Sequence, residues 1–404
     1  MSHTTPYQFA LFRICLGLYL VVHLVYLVPY APEMFSNAGM LADASINLSY
    51  GYFPNPLNVI DSPLATQAFL AVLVGLALML TFGIKRRWVV LLLWFGWACL
   101  LNRNVLIRNP SMPFVGWMLL SMSLVPEGEG LSWRRMAADP AWRLPGKIFV
   151  ALWILMAVGY SLSGLDKALS PSWQDGSALS HVLGNPLSRD NGLVRLMLAQ
   201  PEFLRYSTWG ALALEIVFLP LSLWSRSRPW IWLAMVGMQV GILFLVDFAD
   251  LTFGGLMLHS MTFDARWLAA AKDRSEPPIL FFDGVCGLCN GSIDLLVTED
   301  QSRVLRYAPL QGETAKAHLT AQQIEDLDTF YLWEDGKLLE RSDAWIRVGV
   351  LVGGMWKLAW FLAAVPRPIR DGLYRLVARH RYRLFGKRAA CRLPTADERP
   401  LFLD

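Results

Sequence analysis

Two cysteines stand at a Cys-x-x-Cys spacing, Cys286-Gly287-Leu288-Cys289, directly after Ile279-Leu280-Phe281-Phe282 and Asp283-Gly284-Val285. Two thiols one helical turn apart can open and close a disulfide, which is a two-electron exchange. The apolar run reads as a buried strand, Asp283-Gly284 as a turn, and Asn290 to Val297 as a helix. That order puts Cys286 at a helix N-terminus, where free N–H groups and the helix dipole favour the reactive thiolate. Cys286 is therefore expected to be the attacking and more accessible sulfur, with Cys289 resolving the mixed disulfide. Asp283, buried beside the pair, would pass protons to and from Cys289. Other chemistry uses the same spacing. Half of a zinc site is one alternative, but zinc takes about four ligands. Cys391, His318 and His380 supply no second paired spacing, so no metal is expected. Two inert core cysteines are the other alternative.

The elements around the pair follow from local pattern. Val304 to Pro309 reads as a short strand and 314–325 as a helix. Thr329 to Glu334 and Lys337 to Glu340 flank Asp335-Gly336, a hairpin signal. Ser342-Asp343 is expected to cap a helix from Ala344 to Val352. The order β-α-β-α-β-β-α is that of a thioredoxin-like domain. The apolar run 348–364, interrupted by Lys357, reads as core or interfacial rather than as a membrane span. The tail carries Arg367, Arg370, Arg375, Arg379, Arg381, Arg383, Lys387, Arg388 and Arg392 against a single acid, Asp371. Leu373, Tyr374, Leu376 and Val377 interleave with them, the pattern of a basic helix lying on an anionic leaflet.

The rest of the chain is different in kind. Of 404 residues, 55% are hydrophobic and only 17% charged, and mean hydropathy is +0.39. Ordinary soluble domains carry about 25% charged residues. Nearly all long apolar runs lie before Phe263, so a membrane half precedes a soluble half. Spans are expected near 8–29, 64–84, 88–107, 111–125, 147–165, 207–225, 229–246 and 251–264, most of them near the roughly 17–25 residues a spanning helix needs. The fold class expected is thus a multi-span α-helical membrane bundle of about eight helices followed by an α/β thioredoxin-like domain. The division is 1–270, a polar linker 271–278 ending in Pro277-Pro278, and 279–404 with its basic C-terminal helix. The loop 30–63 has no Lys or Arg, whereas Lys85-Arg86-Arg87, Arg226, Arg228, Arg266 and Lys272 flank other ends. Basic residues stay inside, which places both termini on the cytoplasmic side of a bacterial-type inner membrane. Within the spans, Arg13, His23 and Glu215 are expected to face the bundle interior, either around a polar pocket or as ion pairs such as Arg13 with Glu215. A net charge of +4 gives no sign of nucleic acid.

Two resemblances add to this. Residues 279 to about 395 resemble the DCC family of thiol-disulfide oxidoreductases, through Asp283-Gly284-Val285-Cys286-Gly287-Leu288-Cys289, Ala308-Pro309-Leu310-Gln311, Asp335-Gly336, Ser342-Asp343-Ala344, Pro366, Tyr382-Arg383-Leu384-Phe385-Gly386 and Cys391. That resemblance implies a thioredoxin-like fold with Asp283, Cys286 and Cys289 as the site. Residues 8 to about 268 resemble the HTTM domain shared with vitamin K-dependent gamma-carboxylase, through Leu11-Phe12-Arg13, Arg108-Asn109-Pro110, Ser163-Gly164-Leu165-Asp166-Lys167, Trp173-Gln174-Asp175-Gly176 and Glu215. It implies a catalytic-base role for Lys167. The carboxylase's second lysine is replaced by Asp166, and its functional histidine is missing from the segment Asn109 to Pro113, which argues against glutamate carboxylation here.

The function expected is that of a membrane-anchored thiol-disulfide oxidoreductase. Its partners would be the lipid bilayer and a dithiol or disulfide, in a protein or a small thiol. One alternative is a quinone- or lipid-handling membrane enzyme, with quinone as the cofactor and the dithiol domain as electron donor. Another is a non-enzymatic scaffold or transporter with a degenerate redox domain. A cytoplasmic dithiol would act as a reductant or sensor, because that compartment keeps thiols reduced.

Overall fold

The structure, a computed structural model, describes residues 4–47, 49–133, 135–268, 276–325, 329–386 and 394–404. Most of the expected linker and Cys391 lie outside the described residues. The chain forms two compact units. One comprises Leu11–Glu127 and Leu144–Phe263; the other comprises Gly128–Arg143 and Asp264–Asp404 together with the N-terminal stretch up to Ala10.

The first unit is helical. Its longer helices are Pro6–Leu27, Pro63–Thr81, Arg86–Arg103, Met112–Ser123, Gly146–Ala168, Pro201–Ser222, Arg228–Leu245 and Asp250–Thr262. These eight coincide with the eight expected segments, but the expectation of about eight helices does not hold. Seventeen α-helices are present among the described residues, because short helices such as Ala178–Leu183 and Gly192–Leu198 occupy the polar loops. Nor do all eight qualify as spans. Four helical stretches are long and apolar enough to cross a membrane: Pro6–Phe35, Pro63–Thr81, Gly146–Ala168 and Arg228–Leu245. Met112–Ser123 is too short, at 12 residues. Arg86–Arg103 carries Arg86, Arg87 and Arg103 in 18 residues, and each charge in lipid is costly.

Buried arginines in this unit close helix ends. Arg13 donates to the carbonyls of Leu80 and Thr81 at 2.9 and 2.6 Å, the last turn of Pro63–Thr81, where carbonyls lack intrahelical donors. Arg86 does the same for Val125 and Pro126. The expected pairing of Arg13 with Glu215 is replaced by Lys167 with Glu215, at 2.5 and 2.6 Å. Gly164 permits it: a Cβ there would lie 2.8 Å from the Ile216 nitrogen and 2.9 Å from the Glu215 Cβ. His23 pairs with Asp250 at 2.9 Å.

The second unit carries a four-stranded mixed sheet in the order β2-β1-β3-β4. The elements run β1 (Ile279–Phe282), α1 (Gly287–Glu299), β2 (Arg306–Pro309), α2 (Glu313–His318), α3 (Ala321–Glu325), β3 (Tyr331–Glu334), β4 (Lys337–Glu340), α4 (Arg341–Val352) and α5 (Arg367–Phe385), with a 3-10 helix at Gly354–Ala364 between the last two. β1 pairs parallel with β2 and antiparallel with β3. Such a central strand is covered on both faces and reads as a continuous apolar run. Leu280 and Phe282 pack with α1 and α4, whereas Phe281 packs with Ala308, Leu310 and Ala315 on the other side. The hairpin turns on Asp335 and Gly336, both at positive φ, 48° and 75°, the conformation Asp-Gly supplies most easily. Gly353, at φ 83°, ends α4 before the 3-10 helix.

Ser342 and Asp343 do not cap α4 as expected. The N-cap is Glu340, and the two side chains hold α5 instead. Ser342 bonds the Asp371 carboxylate, and Arg370 Nη1 donates to Ser342 Oγ at 2.7 Å and to Asp343 at 2.5 Å. Charge-assisted bonds to α5 outweigh a local cap. The N-terminal stretch is tied in by Thr5, whose hydroxyl donates to Glu299 at 2.8 Å. The Ala138 N–H donates to Tyr7 at 3.1 Å, so both segments placed with the membrane half by sequence meet the second unit.

Candidate functional site

The site is built where β1 ends. The strand delivers Asp283 into the interior, the turn reverses the chain, and α1 begins with Cys286 as its N-cap in an extended conformation, φ −79° and ψ 125°. In that conformation the Cys286 sulfur accepts the Cys289 N–H at 3.3 Å, the position a capping Ser or Asp oxygen would take. Asn290 locks the loop, donating to the Gly284 carbonyl at 2.7 Å and the Cys286 carbonyl at 2.8 Å. Both thiols are free. The Asp283 carboxylate and the two sulfurs all lie within 4.8 Å of one another.

Asp283 is the hub. One oxygen accepts from the Val285 N–H at 3.1 Å and from Gln311 Nε2 at 3.3 Å. The other accepts from Tyr382 Oη at 2.5 Å and from Arg381 Nη2 at 3.3 Å. Arg381 also donates to the Tyr382 hydroxyl at 2.9 Å and lies 4.3 Å from the centre of that ring, a cation–π position. The side chains of Asp283 and Arg381 are 1% and 3% exposed, so this is a buried ion pair with further hydrogen bonds to its acid.

The two thiols are driven apart in acidity. Cys286 lies below the ordinary thiol range, because Cys289 stabilises its thiolate through side-chain and backbone hydrogen bonds and Arg381 adds positive charge. Cys289 lies above it, because it shares its proton with Cys286 and is buried. Separation of this kind makes Cys286 the more readily ionised thiol of the two.

The greater accessibility expected of Cys286 is not seen, since both cysteines are buried. Cys286 is 0% exposed and Cys289 3%. A cavity of about 610 Å³ reaches the pair from one side, and its lining includes Cys289 and Asp283 with Arg381. The Cys286 sulfur instead meets the Cys289 N–H. Asp283, Cys286 and Cys289 thus come together as the sequence predicts. Lys167 belongs to the first unit, where it clasps Glu215 and lies 5.2 Å from the Trp173 ring centre. Arg381, Tyr382 and Gln311 were missed as functional residues. Gln311 and Tyr382 fall within motifs that carry the family resemblance, and that was the signal available. Arg381 appeared only as one charge among nine in a basic tail.

Residues 280–387 match the family model of the DCC1-like thiol-disulfide oxidoreductases. The chain is 36% identical over 127 residues to the uncharacterized protein YuxK of Bacillus subtilis (strain 168), covering 93% of that protein and 31% of this chain. It is 33% identical over 124 residues to a chloroplastic DCC family protein of Arabidopsis thaliana, covering 72% of that protein and 30% of this chain. No solved structure gives a significant match. With the Asp283–Cys286–Cys289 cluster at the start of α1, and with relatives covered over most of their length, the chain belongs to the DCC family of thiol-disulfide oxidoreductases.

Proposed function

We propose that the protein is a membrane-anchored thiol-disulfide oxidoreductase that works through Cys286 and Cys289. The observation that carries this reading is the cap geometry. Cys286 holds its sulfur against the Cys289 N–H at a helix start, with the Arg381 guanidinium in the same buried cluster, and its acidity is increased accordingly.

The reaction runs in two exchanges. The Cys286 thiolate attacks one sulfur of a substrate disulfide, and the second substrate sulfur leaves as a thiolate and takes up a proton. Cys289 then gives its proton to the Asp283 carboxylate, which lies within 4.8 Å, and its thiolate attacks Cys286 in the mixed disulfide. The reduced substrate departs, and a Cys286–Cys289 disulfide remains. The dithiol has lost two electrons and the substrate disulfide has gained them. Hydrogen bonds from Tyr382, Arg381 and Gln311 orient the carboxylate for this transfer.

Anchoring is supported by the four apolar helices long enough to span a bilayer. The resemblance of 8 to about 268 to the HTTM domain fits a membrane module. Within it, Lys167 serves here as a helix clasp to Glu215 rather than as a base.

The test is trapping in membranes containing the full chain. Cys289→Ser should accumulate a mixed disulfide with a disulfide probe, visible as a non-reducing gel shift, and Cys286→Ser should not. The opposite pattern would make Cys289, the sulfur that faces the cavity, the attacking residue. No adduct with either variant would overturn the redox reading.

A further inference from the structure

The cavity beside Cys289 has a definite chemistry. Its walls are largely apolar and partly aromatic, with Leu295, Phe330, Trp345, Trp356 and Val348 among them; Cys289, Asp283 and Arg381 line it at the dithiol, and Ser342 and Arg370 line it as well. At about 610 Å³ it falls inside the roughly 300–1,000 Å³ range of small-molecule sites, which are typically apolar with a few placed polar groups.

Its rim is equally distinctive. Leu362, Val365, Leu373 and Val377 line the cavity and are themselves 56%, 36%, 62% and 51% exposed. They continue into an uncovered apolar surface. On α5, Ile369, Leu373, Leu376 and Val377 recur at i, i+4, i+7 and i+8, one face of a helix, and all four are exposed. Trp360 and Phe361 of the 3-10 helix are 63% and 65% exposed. Soluble surfaces do not hold apolar stripes of this kind without a cover. The charges beside the stripe name the cover. Arg367, Arg375, Arg379 and Arg383 are exposed on the same helix, and its one acid, Asp371, is buried against Ser342. An exposed apolar stripe flanked by arginines and adjoined by tryptophan and phenylalanine is the pattern of a helix lying in the headgroup region of an anionic bilayer. The same chain carries four helices able to span one.

We propose that this cavity is a binding site for a lipid-dissolved quinone, which enters from the bilayer along the α5 face and exchanges electrons with the Cys286–Cys289 pair. The inference rests on the redox reading of that pair. A site reached through lipid takes a lipophilic ligand, and a dithiol exchanges electrons two at a time. The chemical class that is both lipophilic and a two-electron, two-proton carrier is a quinone. In the oxidising direction both S–H bonds break and one S–S bond forms. The two electrons and two protons pass to the quinone, whose carbonyl oxygens become the hydroxyls of the quinol. Arg381 is the donor placed to meet a carbonyl oxygen at the inner end, and Asp283 the group placed to pass on the proton of Cys289.

The experiment uses the full chain, reduced, in lipid nanodiscs, with ubiquinone carrying a short isoprenoid tail as the probe and thiol alkylation as the readout. Oxidation of the pair, with one quinol formed per disulfide, is the expected result. Ala378→Trp, which builds an indole into the cavity wall, should slow quinone-driven oxidation by about tenfold or more. Its cooperative thermal unfolding in the same nanodiscs should match that of wild type, which shows that the variant is folded. Oxidation by glutathione disulfide without oxidation by quinone would overturn this proposal and leave the thiol-disulfide reading standing. So would an Ala378→Trp rate equal to wild type, or competition for the cavity by an apolar peptide disulfide but not by quinone. Oxidation by neither reagent would remove both readings.

Discussion

Arg381 Nη2 lies 3.3 Å from Asp283 Oδ2 although the two residues are 98 positions apart in the chain. The pair joins the last helix of the protein to the loop that carries the cysteines, and both side chains are buried. The acidity of Cys286 and the placement of Asp283 beside the two sulfurs therefore depend on where α5 docks.

Removing the cation should act on both stability and reactivity. Arg381→Gln leaves Asp283 buried without its ionic partner, a loss of about 3–5 kcal/mol for a broken buried pair. It also removes positive charge that favours the Cys286 thiolate. In the Cys289→Ser background, the pH midpoint for alkylation of Cys286 should rise on Arg381→Gln. An unchanged midpoint would mean that Arg381 serves only to hold α5.

Glu299, at the C-terminal end of α1, sets a pH dependence of stability. Burial pushes its carboxyl up to about 7, against the hydrogen bonds it accepts from Trp356 and Thr5. The folded state then holds a proton that the unfolded chain releases near its ordinary value of about 4.3. Stability is highest below that value, falls as pH rises toward about 7, and is flat above. The fall is on the order of 3 kcal/mol. Denaturant titrations of the full chain across that window should show it, and Glu299→Gln should abolish the slope. A slope that survives the substitution would assign it to another group.

The exposed stripe on α5 should touch lipid. A polarity-sensitive fluorophore on Leu373→Cys, with the native cysteines replaced, should be blue-shifted in nanodiscs and quenched by brominated acyl chains. The same probe on Glu313→Cys in α2 should be neither. Replacing Arg375, Arg379 and Arg383 together by Gln should weaken the quenching in anionic lipid, since each basic residue near such a surface contributes about 1 kcal/mol.

In the first unit, Lys167 and Glu215 should behave as a clasp. Lys167→Met should destabilise the chain by roughly 1–3 kcal/mol, between the values for exposed and buried pairs, because its side chain is 29% exposed and that of Glu215 only 7%. The double variant Lys167→Met with Glu215→Met should recover much of that loss in a thermal scan. Exchange at the dithiol should be unchanged in both. Loss of dithiol turnover in Lys167→Met at full stability would return a chemical role to the lysine. Gly164→Ala should cost a similar amount, because the added methyl meets the backbone of Ile216.

What the sequence determined by itself is local. The apolar run of β1, the Asp335-Gly336 hairpin and the helix opening at Cys286 are each set by a few neighbouring residues, through side-chain period, turn chemistry and capping. The positions of the eight longer helices of the first half were legible for the same reason, although only four of those stretches are long and apolar enough to cross a membrane. What only the tertiary structure decided are the relations between distant groups. Arg381 is one of nine basic residues in the tail, and nothing in its local pattern separates it from Arg379 or Arg383. It becomes the partner of Asp283 because Ser342, Asp343 and Asp371 fix the start of α5 and the helical repeat then turns one arginine inward. The Cys-x-x-Cys spacing likewise places both sulfurs on one turn but does not say which one faces an opening. That was decided by the packing of α4 and α5 around the cavity that leaves Cys289 at its wall.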